Sequence, residues 1–288
     1  MSFLRVNKDH PCPVCGHTDW CMVAKDGSAA ICPRTELGAV KRFGEASWLH
    51  RLTNVPRRRR SQPRPIVIAA PVPALQDFRE LAEKFQHDAA VLGRIEPLAD
   101  TLGVSPEPLR RLGVGWNANE GCWTFPLSDA DRQVVGINRR FGNGRKMVMP
   151  GHRAGLYLPC DLPTSLSGET LLICEGGSDT AAALDLNFIA VGRFNCMASV
   201  MLLVDLVRRT RPDAVVIIAD ADATGRRGAQ DLAAAIKPRV IVCKIVEPPA
   251  PHKDLRAWLV AGASRQDVLE AVRTASAMAL RIEVVHAR

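Results

Sequence analysis

Four short apolar runs rich in β-branched residues occur in the second half of the chain, and helix-forming segments rich in alanine and leucine separate them. The runs lie at residues 171–174, 188–191, 214–219 and 240–246. Strands that are buried on both faces have continuous apolar sequences, and their alternation with helices predicts a parallel sheet covered by helices. We therefore expect an α/β fold over residues 166–250.

The first half of the chain has a different pattern. Residues 75–84 and a segment that begins near Pro106 have the character of helices, and residues 121–150 alternate short strands with turns. This pattern predicts a mixed α+β subdomain over residues 75–165, whereas residues 251–288 are expected to form a C-terminal helical segment. The protein as a whole is thus expected to be α+β.

A basic segment, residues 51–74, separates a small N-terminal module, residues 1–50, from the rest of the chain. It has six arginines, five prolines and no acidic residue, which is typical of an extended linker that contacts a polyanion or simply remains solvated. It supplies most of the formal charge of +8, so the net charge says little about the folded parts. A module as small as the N-terminal one needs a disulfide, a metal or a partner to fold.

The remaining composition indicates a cytoplasmic protein. The N-terminus has no apolar run of the kind found in secretory signals, and no stretch approaches the roughly 18 apolar residues that a membrane span requires. Thiols scattered in apolar sequence suit a reducing compartment. Five cysteines have such surroundings: Cys122, Cys160, Cys174, Cys196 and Cys243.

Four further cysteines near the N-terminus have the spacing of a metal site. Cys12 and Cys15 form a Cys-x-x-Cys-Gly knuckle, in which two thiolates can bind one ion. The Asp-Gly pair at residues 26–27 predicts a two-residue hairpin turn. Pairing across that turn places Cys21 directly opposite Cys32 on the same face. Four thiolates in this arrangement predict a closed, structural zinc site whose binding energy stabilises the module.

Other interpretations of these cysteines remain open from the sequence. A Cys-x-x-Cys pair also occurs in redox proteins, and cysteines also pack as small apolar residues. His10 or His17 lies close enough in sequence to replace one of the four thiolates.

Acidic residues follow two of the four apolar runs. Glu175 and Asp179 come after the first run, and Asp220 and Asp222 come after the third. Because the carboxyl ends of parallel strands lie at one edge of a sheet, we expect Glu175 and Asp220 on one rim, with Asp222 in the loop beyond. Carboxylates that converge repel one another, and a hard divalent cation such as Mg²⁺ relieves that repulsion.

A structural interpretation of the same segments is also open. The acids can instead serve to cap helices: Ser178 and Thr224 have the character of N-cap residues, and the neighbouring glycines suit turns. A single Asp-x-Asp is common in surface loops. Two acidic motifs, each at the end of an apolar strand and at the start of a helix, favour the metal site.

At these motifs the chain resembles a known family. Glu-Gly-x-x-Asp beginning at Glu175, followed by Asp-x-Asp-x-x-Gly beginning at Asp220, resembles the TOPRIM domain of DnaG-type primases, topoisomerases and some nucleases. The segment Lys-Asp-Leu-Arg-Ala-Trp-Leu that begins at Lys253 resembles the segment after the fourth strand in primases.

The resemblance implies a catalytic metal site. It implies Mg²⁺ or Mn²⁺ bound by Glu175, Asp220 and Asp222 as the catalytic residues, and it implies that Asp179 and Asp254 assist with a second ion. The family often carries two acids around the last of these positions, whereas this chain has an arginine two residues after Asp254. That departure puts the second ion in question.

Two features separate the TOPRIM enzymes. Topoisomerases need a tyrosine nucleophile, and Tyr157, the single tyrosine, precedes the TOPRIM-like region. ATPase-coupled nucleases need a phosphate-binding Gly-x-x-x-x-Gly-Lys-Ser/Thr loop, which this sequence lacks. Residues 112–141 are similar to the N-terminal half of the primase core, where basic residues face the template and the incoming nucleotide. The residues that this similarity assigns to phosphate contacts are Arg139, Arg140, Arg145, Lys146 and, after the fourth strand, Lys253.

The resemblance therefore implies a DNA primase that joins ribonucleoside triphosphates into short RNA primers on single-stranded DNA. The zinc ribbon would select the start site on the template, with Trp20, Lys25 and Arg34 as candidate contacts. A separate replicative helicase is the expected partner, and the short form of the chain suggests a mobile element. The alternatives are a zinc and TOPRIM protein that binds DNA without catalysis, as recombination mediators do, and a metal-dependent nuclease.

Overall fold

A computed structural model of the protein describes residues 2–44, 47–52, 77–194 and 199–279. The chain divides into two compact units, Met1–Ala70 and Pro71–Arg288. Nearly all of the predicted linker lies outside the described residues, as do Cys196 and the end of the predicted C-terminal segment. Within the described ranges, no helix combines the length and the apolar character needed to cross a membrane.

The first unit is an antiparallel sheet in the order β1-β2-β3-β5-β4. Its strands are β1 (Phe3–Arg5), β2 (Met22–Ala24), β3 (Ala29–Cys32), β4 (Lys41–Arg42) and β5 (Trp48–Arg51). The predicted hairpin is confirmed, because Met22 pairs with Ile31 and Val23 with Ala30. Gly27 has φ +68°, the left-handed conformation that this turn needs and that glycine adopts without strain.

The second unit joins one mixed sheet to helices on both faces. Its α-helices within the described residues are α1 (Phe78–Val91), α2 (Ile95–Leu102), α3 (Pro106–Arg111), α4 (Gly176–Asp185), α5 (Val200–Thr210), α6 (Ala223–Ile236), α7 (Leu255–Val260) and α8 (Arg265–Thr274). Its strands are β6 (Gly115–Asn117), β7 (Cys122–Ser128), β8 (Val134–Phe141), β9 (Lys146–Val148), β10 (Leu156–Tyr157), β11 (Thr170–Glu175), β12 (Ala190–Arg193), β13 (Ala214–Ile218) and β14 (Val242–Val246).

The parallel part of this sheet confirms the predicted α/β pattern. Strands β14, β13, β11 and β12 are neighbours in that order, and all three pairs are parallel. The sheet then continues through antiparallel β10, β7, β8 and β9, with β6 paired to the edge of β7. One hydrogen-bonded framework therefore extends across the predicted boundary between residues 165 and 166.

The apolar runs are continuous because helices cover both faces of the parallel strands. Leu171 and Ile173 pack into a core with α5 and α6, whereas Leu172 and Cys174 face the core that contains α2, α3 and α4. Helix α1 packs on β8 through Ile137. The alternation of side chains along a strand thus gives both cores an apolar residue from the same run.

Local signals explain how these helices differ from the predicted ones. Helix α1 begins after Asp77, whose side chain accepts hydrogen bonds from the first-turn N–H groups, and it extends to Val91, beyond the predicted end. The helix predicted near Pro106 is confirmed. Helix α2 was not predicted, because its eight residues include a proline at position 97 and too few turns for a clear periodicity.

The cysteines outside the N-terminal cluster have unequal environments. Cys122, Cys174 and Cys243 are buried and are free thiols, as expected. The prediction of an apolar environment was wrong for Cys160, which is exposed. Cys160 follows the short strand β10 by three residues and lies in a turn, where its backbone N–H donates to the carbonyl oxygen of Arg111 at 2.7 Å.

Candidate active site and metal sites

The four N-terminal cysteines form a compact metal-binding group. One sulfur from each of Cys12, Cys15, Cys21 and Cys32 lies within 4.8 Å of the others. The Sγ atoms of Cys15 and Cys21 are 3.6 Å apart, and those of Cys21 and Cys32 are 3.8 Å apart. Burial and the neighbouring thiols raise the pKa of Cys21 far above its usual range, so the thiolate form needs a cation beside it. The donor set therefore fits a zinc ion.

The histidine alternative does not apply to this group. His17 is exposed, and its Nδ1 lies 3.0 Å from the carbonyl oxygen of Cys15. His10 is also exposed, and neither ring belongs to the cysteine group. The sequence signal that located the right ligands is the hairpin register, which brings Cys21 and Cys32 together.

The three residues of this unit predicted to contact a template have different environments. Trp20 is 72% exposed and Lys25 is also exposed. Arg34 is engaged within the protein, because its Nη2 pairs with Asp19 Oδ1 at 2.8 Å and its Nη1 lies 3.6 Å from the sulfur of Cys21. Its backbone N–H also donates to the sulfur of Cys32 at 3.4 Å. Arg34 thus belongs to the surroundings of the metal site.

The predicted acidic motifs lie at the carboxyl ends of adjacent parallel strands. Glu175 ends β11, and Asp220 follows β13 by two residues. Gly225 in the first turn of α6 is required by this packing, because a Cβ there would lie 2.6 Å from the carbonyl oxygen of Asp220.

The alternative that the acids cap helices is confirmed for Asp222, whereas Ser178 and Thr224 are not the N-cap residues. Asp222, not Thr224, occupies the N-cap position of α6, and its carboxylate accepts hydrogen bonds from the backbone N–H groups of Thr224 and Gly225 at 3.0 and 2.8 Å. Glu175, not Ser178, occupies the N-cap position of α4, but its side chain makes no capping hydrogen bond. Asp has the same capping chemistry as Ser and Thr, so residue type alone did not distinguish these positions.

Two aspartates are strongly affected by the shared acidic environment. Burial, and then repulsion from Glu175, Asp179 and Asp254, raises the pKa of Asp220 to about 7. Burial and then Asp254 raise the pKa of Asp179 to about 6, although this carboxylate accepts a hydrogen bond from the backbone N–H of Arg256 at 3.1 Å. The acids repel one another, and a divalent cation is the group that would relieve this repulsion.

The acids are nevertheless less closely gathered than the cysteines. Among the residues that the structure describes, the four cysteines are the one group of three or more ligand side chains with atoms within 4.8 Å of one another. Glu175 is paired with Arg193, a fully buried residue that no sequence motif pointed to. Asp254 caps α7 through the N–H of Ala257 at 2.7 Å.

The four basic residues of β8 and β9 separate onto two faces of the sheet. Arg140 and Lys146 are cross-strand partners, so their side chains lie on the same face. Arg139 is on the opposite face, where it pairs with Glu120 at 2.6 Å. The guanidinium of Arg145 stacks on Phe141, with its Cζ 4.7 Å from the ring centroid.

Two of the predicted cations, Arg140 and Lys146, line a small cleft beside the start of α4. Its lining combines the basic pair with the start of α4: Phe125, Asn138, Arg140, Lys146, Tyr157, Gly177 and Ser178. Reduced hydration and then repulsion by Arg140 lower the pKa of Lys146, whereas Asp179 and Asp220 oppose that shift. The exposed Lys253 is also near, because its charge lowers the pKa of Asp220.

Two polar residues of this cleft were missed from the sequence. The Nδ2 of Asn138 donates to the hydroxyl of Tyr157 at 2.6 Å, and Asn138 Oδ1 is buried without a partner among the described residues. The available signal for Asn138 was its position in β8, directly before the two predicted arginines. Burial raises the pKa of Tyr157 above its usual range, which does not suit a tyrosine nucleophile.

Comparison with solved structures identifies the fold. No family model and no curated protein sequence matches the chain. A DnaG primase catalytic domain bound to single-stranded DNA matches at 17% identity and a TM-score of 0.55, over 70% of this chain and 78% of that one. The fold is that of the DnaG-type primases.

Two further primase structures also match the chain. The zinc-binding and RNA polymerase domains of the Aquifex aeolicus primase match at 10% identity and a TM-score of 0.58, over 70% of this chain and 60% of that one. The primase fragment of the bacteriophage T7 primase-helicase matches at 16% identity and a TM-score of 0.52, over 94% of this chain and 100% of that one. At these identities the likeness establishes the primase fold.

Proposed function

We propose that the protein is a DNA primase, a nucleotidyltransferase that synthesises short RNA primers on single-stranded DNA. The observation that carries this proposal is the cleft in which the Arg140–Lys146 pair lies beside Gly177 and Ser178, directly after Glu175. Acids at strand ends, near cations that have no ion-pair partner among the described residues, suit phosphoryl-type transfer, which depends mainly on positioning and charge stabilisation. The primase fold supports the same conclusion.

In this proposal Glu175, Asp220 and Asp222 hold Mg²⁺ or Mn²⁺, and Asp179 and Asp254 assist. Carboxylate oxygens are the ligands that these cations prefer. Burial and then repulsion by neighbouring acids raise the pKa of Asp220, and a cation would offset that repulsion. The bound ion would supply the Lewis acidity that activates a 3′-hydroxyl and stabilises the departing pyrophosphate.

The protein's own side chains bind and orient the substrate in this proposal. Arg140 and Lys146 contact the triphosphate of a nucleoside triphosphate, and Lys253 contacts it from the acidic side. Arg193 holds the carboxylate of Glu175 at the end of its strand. Arg139 and Arg145 lie on the other face, so we assign them no contact with the nucleotide.

The zinc ribbon has a separate role in the proposal. We infer that the exposed Trp20 and Lys25 contact the template, whereas Arg34 stabilises the zinc site. The reaction would take place in the cytoplasm, beside a replicative helicase supplied as a separate protein.

A priming assay tests the proposal directly. Purified protein is incubated with single-stranded circular DNA, Mg²⁺ and labelled ribonucleoside triphosphates, in parallel with the Asp220→Ala variant. We expect short labelled products from the wild type and none from the variant, whose far-UV circular dichroism should remain that of the wild type. Full activity of the variant would refute the metal site, and intact DNA binding without any product would favour the recombination-mediator alternative.

A further inference from the structure

A row of four side chains crosses the antiparallel part of the sheet on one face. Trp116 on β6 pairs with Trp123 on β7, Trp123 pairs with Arg140 on β8, and Arg140 pairs with Lys146 on β9. Direct cross-strand partners in an antiparallel sheet point to the same side. The row therefore places two aromatic residues beside two cations, and its length is three strand spacings, about 14 Å.

The aromatic end of the row is held in a fixed arrangement with a third cation. The rings of Trp116 and Trp123 have centroids 5.1 Å apart and planes inclined at 69°. The guanidinium of Arg94 lies over Trp116, with its Cζ 4.9 Å from the ring centroid. Trp123 Nε1 donates to the carbonyl oxygen of Arg94 at 2.8 Å. We call these three residues the aromatic stack.

The aromatic stack keeps contact with solvent. Arg94 is exposed, and both tryptophans are half-buried at the edge of the core. An exposed guanidinium plane backed by an indole ring is a surface on which a nucleic-acid base can stack, through the same cation–π and stacking forces that hold the guanidinium on the ring.

The charges along the row favour a polyanion as the ligand. In the part of the chain that the structure describes, Arg94, Arg140 and Lys146 have no carboxylate oxygen within 4.0 Å. Three cations without an acidic partner raise the local positive potential, and phosphates are the complementary groups. Aromatic residues interleaved with cations are typical of surfaces that bind single strands, because only a single strand offers free base faces.

We propose that the aromatic stack binds a base of single-stranded DNA, beside the Arg140–Lys146 pair that contacts the triphosphate in the proposed function. This site lies outside the acidic residues and gives the strand a path that leads to them. The inference rests on the proposed function in one respect, since that function makes the bound strand the template. The alternative is a purely structural role, in which the stack only covers the edge of the core. The experiment must distinguish this role from base binding.

The experiment measures affinity of the full chain for a fluorescein-labelled single strand and for the same strand carrying abasic sites. Trp116→Leu keeps an apolar side chain but removes the π face, and Trp116→Phe keeps a π face. We expect Trp116→Leu to weaken binding of the normal strand about tenfold, the effect of about 1.4 kcal/mol of lost stacking. Trp116→Phe should change it less than about threefold. On the abasic strand the wild type and both variants should bind equally.

Salt dependence provides a second readout. Trp116→Leu should leave the slope of log affinity against log salt unchanged, because stacking displaces no counterions. Arg94 lies outside the core, and Arg94→Lys keeps its charge but removes its guanidinium plane. This variant should bind the normal strand more weakly and the abasic strand as the wild type does, even if Trp116→Leu fails to fold. Circular dichroism and thermal melting check the fold of each variant.

Two results would overturn the inference. Wild-type affinity of both Trp116→Leu and Arg94→Lys for the normal strand would mean that no base stacks there. Equal weakening on normal and abasic strands would mean that the substitutions act through the fold. Neither result affects the priming assay, so primer synthesis with an unchanged Trp116→Leu affinity would leave the proposed function standing. If Trp116→Leu weakened binding of the normal strand but not of the abasic strand, in a protein that makes no primer, the inference would stand and the proposed function would not.

Discussion

Arg193 lies directly opposite Glu175 on the neighbouring parallel strand, and its Nη2 donates to Glu175 Oε1. The guanidinium is fully buried, and its Nη1 donates to the carbonyl oxygen of Gly228 in α6 at 2.9 Å. One side chain therefore connects the end of β11 to the helix that follows Asp220. The carboxylate of Glu175 is fixed at the strand end by an interaction that no motif contains.

Replacement of Arg193 by methionine should destabilise the protein by about 3 kcal/mol, because the carboxylate of Glu175 would lose its buried partner. Urea unfolding of the second unit, followed by circular dichroism, measures the loss. The double variant Arg193→Met with Glu175→Gln should lose less than the sum of the two single variants, since it leaves no unpaired charge. Strict additivity would show that the ion pair contributes little.

Asp220→Asn should stabilise the metal-free protein above neutral pH. The pKa of Asp220 is about 7 in the folded protein and 3.8 as the free reference, so the folded state binds its proton more tightly than the unfolded state does. Stability is therefore lost as pH rises from about 4 to 7, and the full loss persists above 7. Thermal melting at pH 8 should give a higher Tm for the variant, and the difference should shrink towards pH 5.

Asp222→Asn is the matched control for that experiment. Asp222 is exposed and caps α6, and asparagine provides the same kind of cap, so its Tm should change little. Added Mg²⁺ should raise the Tm of the wild type more than that of Asp220→Asn. A variant at position 220 that melts below the wild type at pH 8 would contradict the charge repulsion.

Arg34→Gln should make the zinc site release its metal faster. The guanidinium lies 3.6 Å from the sulfur of Cys21 and is held by Asp19, so it offsets part of the negative charge of four thiolates. Transfer of zinc to a colorimetric chelator should be about tenfold faster in the variant. Lys25→Gln, an exposed change in the same unit, should release zinc at the wild-type rate. If all three proteins released zinc at the same rate, the role of Arg34 would be limited to its ion pair with Asp19.

Sequence alone predicted the features that depend on local spacing. The hairpin that joins Cys21 to Cys32 follows from one Asp-Gly turn, and the register of Met22 with Ile31 confirms it. The four parallel strands followed from apolar runs, because burial on both faces leaves a continuous signature. The acids at 175 and 220 were predicted to share a rim for the same reason, since parallel strands end at one edge.

Features that depend on pairing between distant segments could not be predicted. Arg193 is a lone cation at the end of an apolar strand, and only the parallel register with β11 shows that it faces Glu175. The division of the basic residues depends on the register of β8 with β9, which opposes Arg140 to Lys146 and leaves Arg139 on the other face. Arg34 looked like a surface cation until the fold placed it beside a cysteine sulfur.

That division of the basic residues gives a last prediction, which compares two arginines five positions apart. Arg140 faces the cleft without a carboxylate partner, whereas Arg145 is exposed and stacks on Phe141 away from it. Loss of a charge-assisted contact to phosphate costs about 1.5–3 kcal/mol, so Arg140→Gln should lower kcat/KM for the nucleoside triphosphate in the priming assay about 10- to 100-fold.

Arg145→Gln removes the same charge from the same hairpin and should change kcat/KM less than about twofold. If the two variants lost activity equally, a general loss of positive charge would explain the effect. If only Arg140→Gln lost activity, the cross-strand register would decide which arginine acts. Arg140 pairs with Lys146, and Arg145 directly precedes Lys146, so Arg145 points to the opposite face of the sheet.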